Sequence, residues 1–142
     1  MRYQYVVVVG AGRLGSILAN RISRQGSSVV VVDRDERAFR NLDVDFSGFK
    51  VTGDAAEMAV LLRAGVDRAD CVLAITPFDN VNLMVAQVAR EMFGVPRVIA
   101  RNYDPARVAI YDRLGIETIC PTQLAASEFL DALDNRGEEK RT

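Results

Sequence analysis

One segment near the start restricts the fold more than any other. Val6-Val7-Val8-Val9 is a run of β-branched residues, and Gly10-Ala11-Gly12-Arg13-Leu14-Gly15 follows at once. A helical pattern comes next, then Val29-Val30-Val31-Val32, and then Asp33, 18 residues past Gly15. The glycines match G-x-G-x-x-G, which alone is a weak signal. Here they follow a strand, open a helix and precede an acidic residue at the tip of a second strand. That context is the dinucleotide-binding form of a βαβ unit.

Each position has a physical reason. Gly10 permits the tight turn out of the strand. Gly12 lacks a Cβ, so a phosphate can approach the backbone. Gly15 lets the helix pack against the sheet. The helix that begins near Arg13 and Leu14 directs unpaired N–H groups and the positive end of its dipole at the phosphates. Asp33 is placed to accept hydrogen bonds from ribose hydroxyls, and its charge disfavours a 2′-phosphate there. Arg34 weakens that exclusion: it either pairs with a phosphate or lies flat over adenine. Removing Asp33 is expected to cost ligand affinity and little stability.

A chain of 142 residues fits one domain with a real core. A net charge of −1 gives no electrostatic case for nucleic acid or a membrane surface. The apolar runs are too short for a membrane span, and the N-terminus enters a strand without a signal-peptide pattern. Cys71 and Cys120 have no metal or disulfide spacing and read as small buried thiols, so no metal site and a cytoplasmic location are expected. Histidine is absent, and Lys50 and Lys140 are the only lysines. Without the common proton-transfer groups, and with no room for a substrate domain, a self-contained dehydrogenase is disfavoured and no catalytic residue is expected.

Strand and helix patterns alternate to the end. Strands are predicted at about 5–9, 28–32, 49–52, 70–75, 97–101 and 116–119, and helices at about 13–25, 35–41, 55–64, 79–93, 105–113 and 122–134. The expected helical stripes are Leu14, Ile17, Leu18 and Ile22, and Val81, Met84, Val85, Val88 and Met92. The implied fold is α/β, a Rossmann-like doubly wound parallel sheet of about six strands with helices on both faces. A ligand then belongs at the carboxyl ends of the strands, between the first and fourth. Residues 1–134 read as the domain and 135–142 as a short, charged, flexible tail.

Other segments add candidates. Gly53-Asp54-Ala55 follows the third strand, where Asp54 either accepts from an adenine amino group, caps the next helix, or does both. Ala55 offers a backbone N–H. Thr76 ends the fourth strand opposite the glycine loop; it meets ribose or phosphate, or simply caps. Asn80 and Asn82 open the helix there. Arg101 ends the fifth strand on the same rim, either near the ligand or in a structural ion pair.

Taken together, these segments resemble the amino-terminal domain of the regulator of potassium conductance family, also called the KTN or TrkA-N domain. The residues that carry the resemblance are Gly10-Ala11-Gly12-Arg13-Leu14-Gly15, Asp33, Gly53-Asp54-Ala55, Ala69-Asp70, Ala74-Ile75-Thr76, Asn80-Val81-Asn82-Leu83, Val95-Pro96-Arg97-Val98-Ile99-Ala100-Arg101 and Leu114-Gly115-Ile116. It covers roughly residues 4 to 133.

The resemblance implies a nucleotide sensor on the inner face of a cell membrane, attached to a potassium transporter or channel of the Trk or Ktr type. It implies binding of NAD(H), ATP, ADP or AMP, and assembly as a homodimer or a higher ring. Arg13 is then the residue that reaches a terminal phosphate, and the last helix, about 122–134, crosses to a neighbouring subunit. The family's usual carboxy-terminal ligand domain is absent, which implies either a fragment or a subunit working with a separate partner. Some relatives carry an acidic residue after the proline that precedes the last helix. Here Thr122 follows Pro121, so no metal is expected. The alternative function is the cofactor-binding part of an NAD-dependent oxidoreductase.

Overall fold

The computed structural model describes residues 3–141, with side-chain surroundings described as far as Asn135. Six strands form one parallel sheet: β1 (Tyr5–Val9), β2 (Ser28–Asp33), β3 (Phe49–Thr52), β4 (Cys71–Ala74), β5 (Arg97–Arg101) and β6 (Glu117–Ile119). Their order is β3-β2-β1-β4-β5-β6, so the winding reverses between β1 and β4. Val6 to Val9 stand beside Val29 to Val32 on one side and Cys71 to Ala74 on the other.

The apolar runs follow from this position. A central parallel strand has helices on both faces and buries every side chain. Val7, Val9, Val30, Val32, Val72 and Ala74 form one face, covered by helices α2 (Met58–Arg63) and α3 (Asp79–Gln87). Val6, Val8, Val29, Val31, Cys71 and Leu73 form the other, covered by α1 (Arg13–Arg24) together with Phe39 and Leu42. Asp70 secures the start of the sheet: its Oδ2 accepts the N–H groups of Gln4 and Tyr5 at 2.8 and 3.0 Å.

Several local expectations are corrected. On α1 the buried residues are Gly15, Ser16, Ala19, Asn20 and Ile22, while Leu14 and Ile17 are exposed. On α3 and the single π turn that continues it (Val88–Met92), the buried stripe is Asn82, Val85, Ala86 and Ala89, and Met92 is exposed. Both helices turn their small residues to the sheet, which brings helix and strand backbones close; the larger residues lie to the side. The predicted helix at 35–41 is a 3₁₀ segment (Glu36–Asn41) started by Asp35, whose side chain accepts the Arg37 N–H. The predicted helix at 55–64 begins only at Met58, because Gly53 to Glu57 form a loop. A 3₁₀ turn (Pro105–Arg107) leads into α4 (Val108–Arg113).

The last helix, α5 (Pro121–Arg141), runs past residue 134 and through the segment read as a tail. The side chains of 136–142 lie outside the described residues. Residues 122–135 are exposed without exception, so α5 covers neither face of its own sheet. Among the described residues no helix is long and apolar enough to cross a membrane.

Candidate functional site

The glycine loop is shaped by backbone contacts that side chains would prevent. Gly10 has φ 114°, and a Cβ there would lie 2.5 Å from the Ile75 carbonyl oxygen of the β4 end. A Cβ on Gly15 would lie 1.9 Å from the carbonyl oxygen of Gly10, so the third glycine lets the first turn of α1 close back on the loop. Gly12 meets no such obstacle and faces open space. It is the N-cap of α1, without a side-chain cap. The first N–H groups of the helix therefore face outward with no intrahelical acceptor.

Between these glycines, the Ala11 peptide is saturated. Its N–H donates to Asp33 Oδ2 at 2.8 Å, and its carbonyl accepts from Ser16 Oγ at 2.9 Å and Asn41 Nδ2 at 3.0 Å. Asp33 also accepts the Asp35 N–H through Oδ1 at 2.8 Å. The carboxylate is thus aimed by two backbone donors, one on each oxygen. Each oxygen retains lone-pair capacity for a further donor such as a hydroxyl.

The opposite wall is organised by Asn82, which is fully buried. Its Oδ1 accepts the Thr76 N–H at 2.8 Å and the Thr76 hydroxyl at 2.7 Å. Its Nδ2 donates to the carbonyls of Thr76 at 2.9 Å and Arg101 at 3.0 Å. One amide therefore joins the ends of β4 and β5. Arg101 turns its Nη2 to the carbonyls of Ile75 and Thr76 at 2.9 and 3.1 Å, and its guanidinium lies over the Tyr103 ring, 4.6 Å from the centroid. Burial pulls its pKa below the usual guanidinium value. Its Nε is the one buried side-chain polar atom without a partner among the described residues.

These elements border a cleft at the carboxyl ends of β1, β2, β3 and β4. Gly10, Asp33, Arg34, Gly53, Asp54, Ala55 and Thr76 line it. Gly12, Arg13 and Leu14 sit beside it at the exposed start of α1, and Gly15 is buried beneath the loop. Asp54 accepts the Ala56 N–H at 2.9 Å and so shapes the loop before α2 rather than capping that helix, whose N-cap is Glu57. Gly53 is required by its neighbour: a Cβ there would lie 2.7 Å from a Val60 methyl. Two candidates stand back from the cleft. Asn80 points away and accepts from Arg107 Nη1 at 3.1 Å, and Arg101 supports the cleft from behind.

Sequence patterns did not single out Val9, Val32, Pro77, Phe78 and Val81 as lining residues, yet they form its apolar part. Thr122 donates its hydroxyl to the Tyr103 carbonyl at 3.1 Å and ties the start of α5 to the β5 end.

The ionisable groups in the lining are Asp33, Arg34 and Asp54. Just outside, hydrogen bonds from Arg37 hold Asp35 below the usual carboxylate range. Among the described residues no three His, Cys, Asp or Glu side chains converge as metal ligands. The arrangement presents backbone N–H donors beside a helix N-terminus, a fixed carboxylate 22 residues from the loop it braces, and an apolar slot. That combination suits a phosphorylated nucleoside.

Comparison with known proteins agrees with this geometry. The TrkA-N domain model matches residues 6–121. The Trk system potassium uptake protein TrkA of Streptomyces coelicolor is 43% identical over 135 residues, covering 95% of this chain and 60% of that protein. The chain thus spans about 60% of the length of this curated relative. Among solved structures, the Shewanella denitrificans Kef CTD in AMP-bound form superposes with a TM-score of 0.79 at 24% identity, covering 94% of this chain and 82% of that one. The GsuK channel bound to NAD superposes with a TM-score of 0.77 at 23% identity, covering 94% and 24%. These structural likenesses establish the fold.

Proposed function

The chain belongs to the TrkA-N domain family, and on that premise we propose that it is a regulatory unit of a potassium transporter or channel that works by binding an adenine nucleotide. The observation that carries this reading is the braced pair of Asp33 and the glycine loop at the head of the β1–β4 cleft. Phosphates would meet the N-terminus of α1, ribose hydroxyls would meet Asp33, and the base would enter the slot near Ala55. The carboxylate disfavours a 2′-phosphate, so NAD(H), ATP, ADP or AMP fits better than NADP. The Kef and GsuK structures with AMP and NAD support that ligand class.

The regulatory role rests on the potassium-uptake relative and on the chemistry of the cleft. Its lining carries no histidine or lysine, and its two carboxylates, Asp33 and Asp54, are each engaged by backbone N–H groups, which favours binding over hydride transfer as part of an oxidoreductase. A binding module acts instead through contacts that differ between two states of an assembly. The exposed α5 supplies a means of assembly, since its apolar residues have no cover within the subunit. The membrane partner would then hold the unit at the cytoplasmic face.

Two measurements test the proposal. Mass spectrometry of the small molecules released from purified protein should find an adenine nucleotide. Calorimetric titration with NAD, NADH, ATP, ADP and AMP should give saturable binding for at least one. Failure to bind any of them overturns the reading. Turnover of NADH with an added carbonyl substrate would replace it with the oxidoreductase alternative.

A further inference from the structure

Phe78 is an aromatic residue that the fold does not use. It sits between β4 and α3 as the N-cap of α3, a position where Ser, Thr, Asp or Asn would satisfy a free N–H. Phe78 makes no side-chain cap there. Its side chain is 53% exposed, and it belongs to neither buried cluster of the core. Nothing in folding rewards a large apolar ring at this place.

Its backbone, by contrast, is held firmly. The Phe78 N–H donates to Thr76 Oγ1 at 3.2 Å, and its carbonyl accepts from the Asn82 N–H at 3.0 Å. Asn82 in turn fixes Thr76. The exposed ring is therefore carried on a rigid mount, so little conformational entropy is lost when it meets a ligand. It lines the cleft together with Pro77, Val81 and Ala55, and Arg34 lines it too. The phosphates and ribose are provided for by α1 and Asp33. For the base, Asp54, Ala55 and Arg34 offer polar groups, and Phe78 supplies the aromatic ring of the lining.

We propose that Phe78 is the base-stacking residue of the cleft, giving the chain its preference for a purine over the sugar-phosphate alone. This rests on the nucleotide-binding reading above and adds to it the residue that recognises the base. An aromatic ring offers a face to any base and gains most from the large purine system. The adjacent surface cavity formed by Phe78 with Asp79, Asn80, Tyr103 and Arg107 leaves space on the outer side for the ring to adjust.

The test uses the chain's lack of tryptophan. Phe78→Trp introduces one tryptophan, whose emission can be excited apart from that of the four tyrosines. Saturating AMP or NAD should quench its emission, whereas ribose 5-phosphate at the same concentration should leave it unchanged. In calorimetry, Phe78→Ala should weaken AMP, ADP and NAD by a common factor of about ten, and Phe78→Tyr should stay within about twofold of wild type. Because the ring is exposed, Phe78→Ala should unfold at nearly the wild-type temperature. Wild-type affinity in Phe78→Ala overturns the proposal and leaves the nucleotide-binding reading standing. So does loss of self-association in Phe78→Ala with affinity intact, which would make the ring a subunit contact. If wild-type protein binds no adenine nucleotide, both readings fall together.

Discussion

Asp33 Oδ2 accepts the Ala11 backbone N–H at 2.8 Å, so the acidic tip of β2 and the glycine loop after β1 form one unit. The group proposed to meet ribose is also the brace of the glycine loop. Asp33→Ala should therefore do more than remove a ligand contact. It leaves the part-buried Ala11 N–H without its charged acceptor and turns the exposed Asp35 N–H over to water. The loss should be about 2 kcal/mol, or a fall in Tm on the order of 8 °C without ligand. It differs from the expectation of little change in stability, which did not include the Ala11 and Asp35 hydrogen bonds. Differential scanning calorimetry of the ligand-free variant checks it, and affinity for every adenine nucleotide should fall as well.

Asn82 is the corresponding brace on the other wall. Asn82→Ala should lower stability by about 3 kcal/mol, because it opens a small cavity and leaves the part-buried Thr76 N–H without its acceptor. Asn82→Asp keeps shape and the Thr76 contacts but sets oxygen against the carbonyls of Thr76 and Arg101. It should be destabilised too, unlike a simple loss of volume. Urea unfolding midpoints of the two variants check this. If Asn82→Asp matches wild type, the amide donors do not hold β4 and β5 together.

The two asparagines of this helix show where sequence was legible and where it was not. The six strands, the switch between the first and fourth and the glycine loop follow from the alternating patterns and their spacing; β1, β2 and β4 are the clearest, since a strand buried on both faces has little freedom to be anything but apolar. The inward face of α3 was harder to read. Large residues set the expected stripe of Val81, Met84, Val85, Val88 and Met92, while packing chose Val85, Ala86 and Ala89. Asn82 lies three residues before Val85 on that face. The same register would have shown it as buried and Asn80, two residues earlier, as turned away. Arg101 was legible as a rim residue, but a sequence does not show that a guanidinium will find its acceptors in the carbonyls of a neighbouring strand. Nor does a pattern of apolar residues separate the 3₁₀ segment after Asp35 from an α-helix, because both need the same kind of start.

Burial pushes the Cys71 thiol up from 9.0 to about 11. The folded protein thus keeps a proton that the unfolded chain releases above about pH 9. The stability this represents is intact below the unfolded pKa and is lost as pH rises towards 11. That loss should be on the order of 2 kcal/mol. The buried Tyr111, also shifted up by burial, adds to the alkaline loss in the same direction. Urea midpoints from pH 8 to 11 should fall for wild type and fall less steeply for Cys71→Ala. Parallel curves would show that the thiol ionises equally in both states.

Arg13 is exposed at the first position of α1, and among the described residues it forms no ion pair. Its donors and permanent charge suit a terminal phosphate that ADP lacks. Arg13→Ala should reduce the ATP-to-ADP affinity ratio about tenfold and leave Tm within about 1 °C of wild type. An unchanged ratio by calorimetry would reduce Arg13 to a solvated side chain.

The exposed face of α5 leads to the last expectation. Phe129, Leu130 and Leu133 are 73%, 62% and 68% exposed, and with Ala126 they follow the spacing of one helical face. Both faces of the sheet are already covered by earlier helices, so this face has no home in its own subunit. A patch of this kind on a water-facing helix marks a contact with another protein. The intact chain is expected to be a dimer or larger at micromolar concentration. Phe129→Glu with Leu133→Glu should shift it to monomer with the fold retained, because neither side chain supports the core. Light scattering with circular dichroism measures both. A monomeric wild-type chain up to millimolar concentration sinks the expectation. A dimer that persists in the double variant places the interface on another surface, of which the exposed Leu14 and Ile17 of α1 are the first to test.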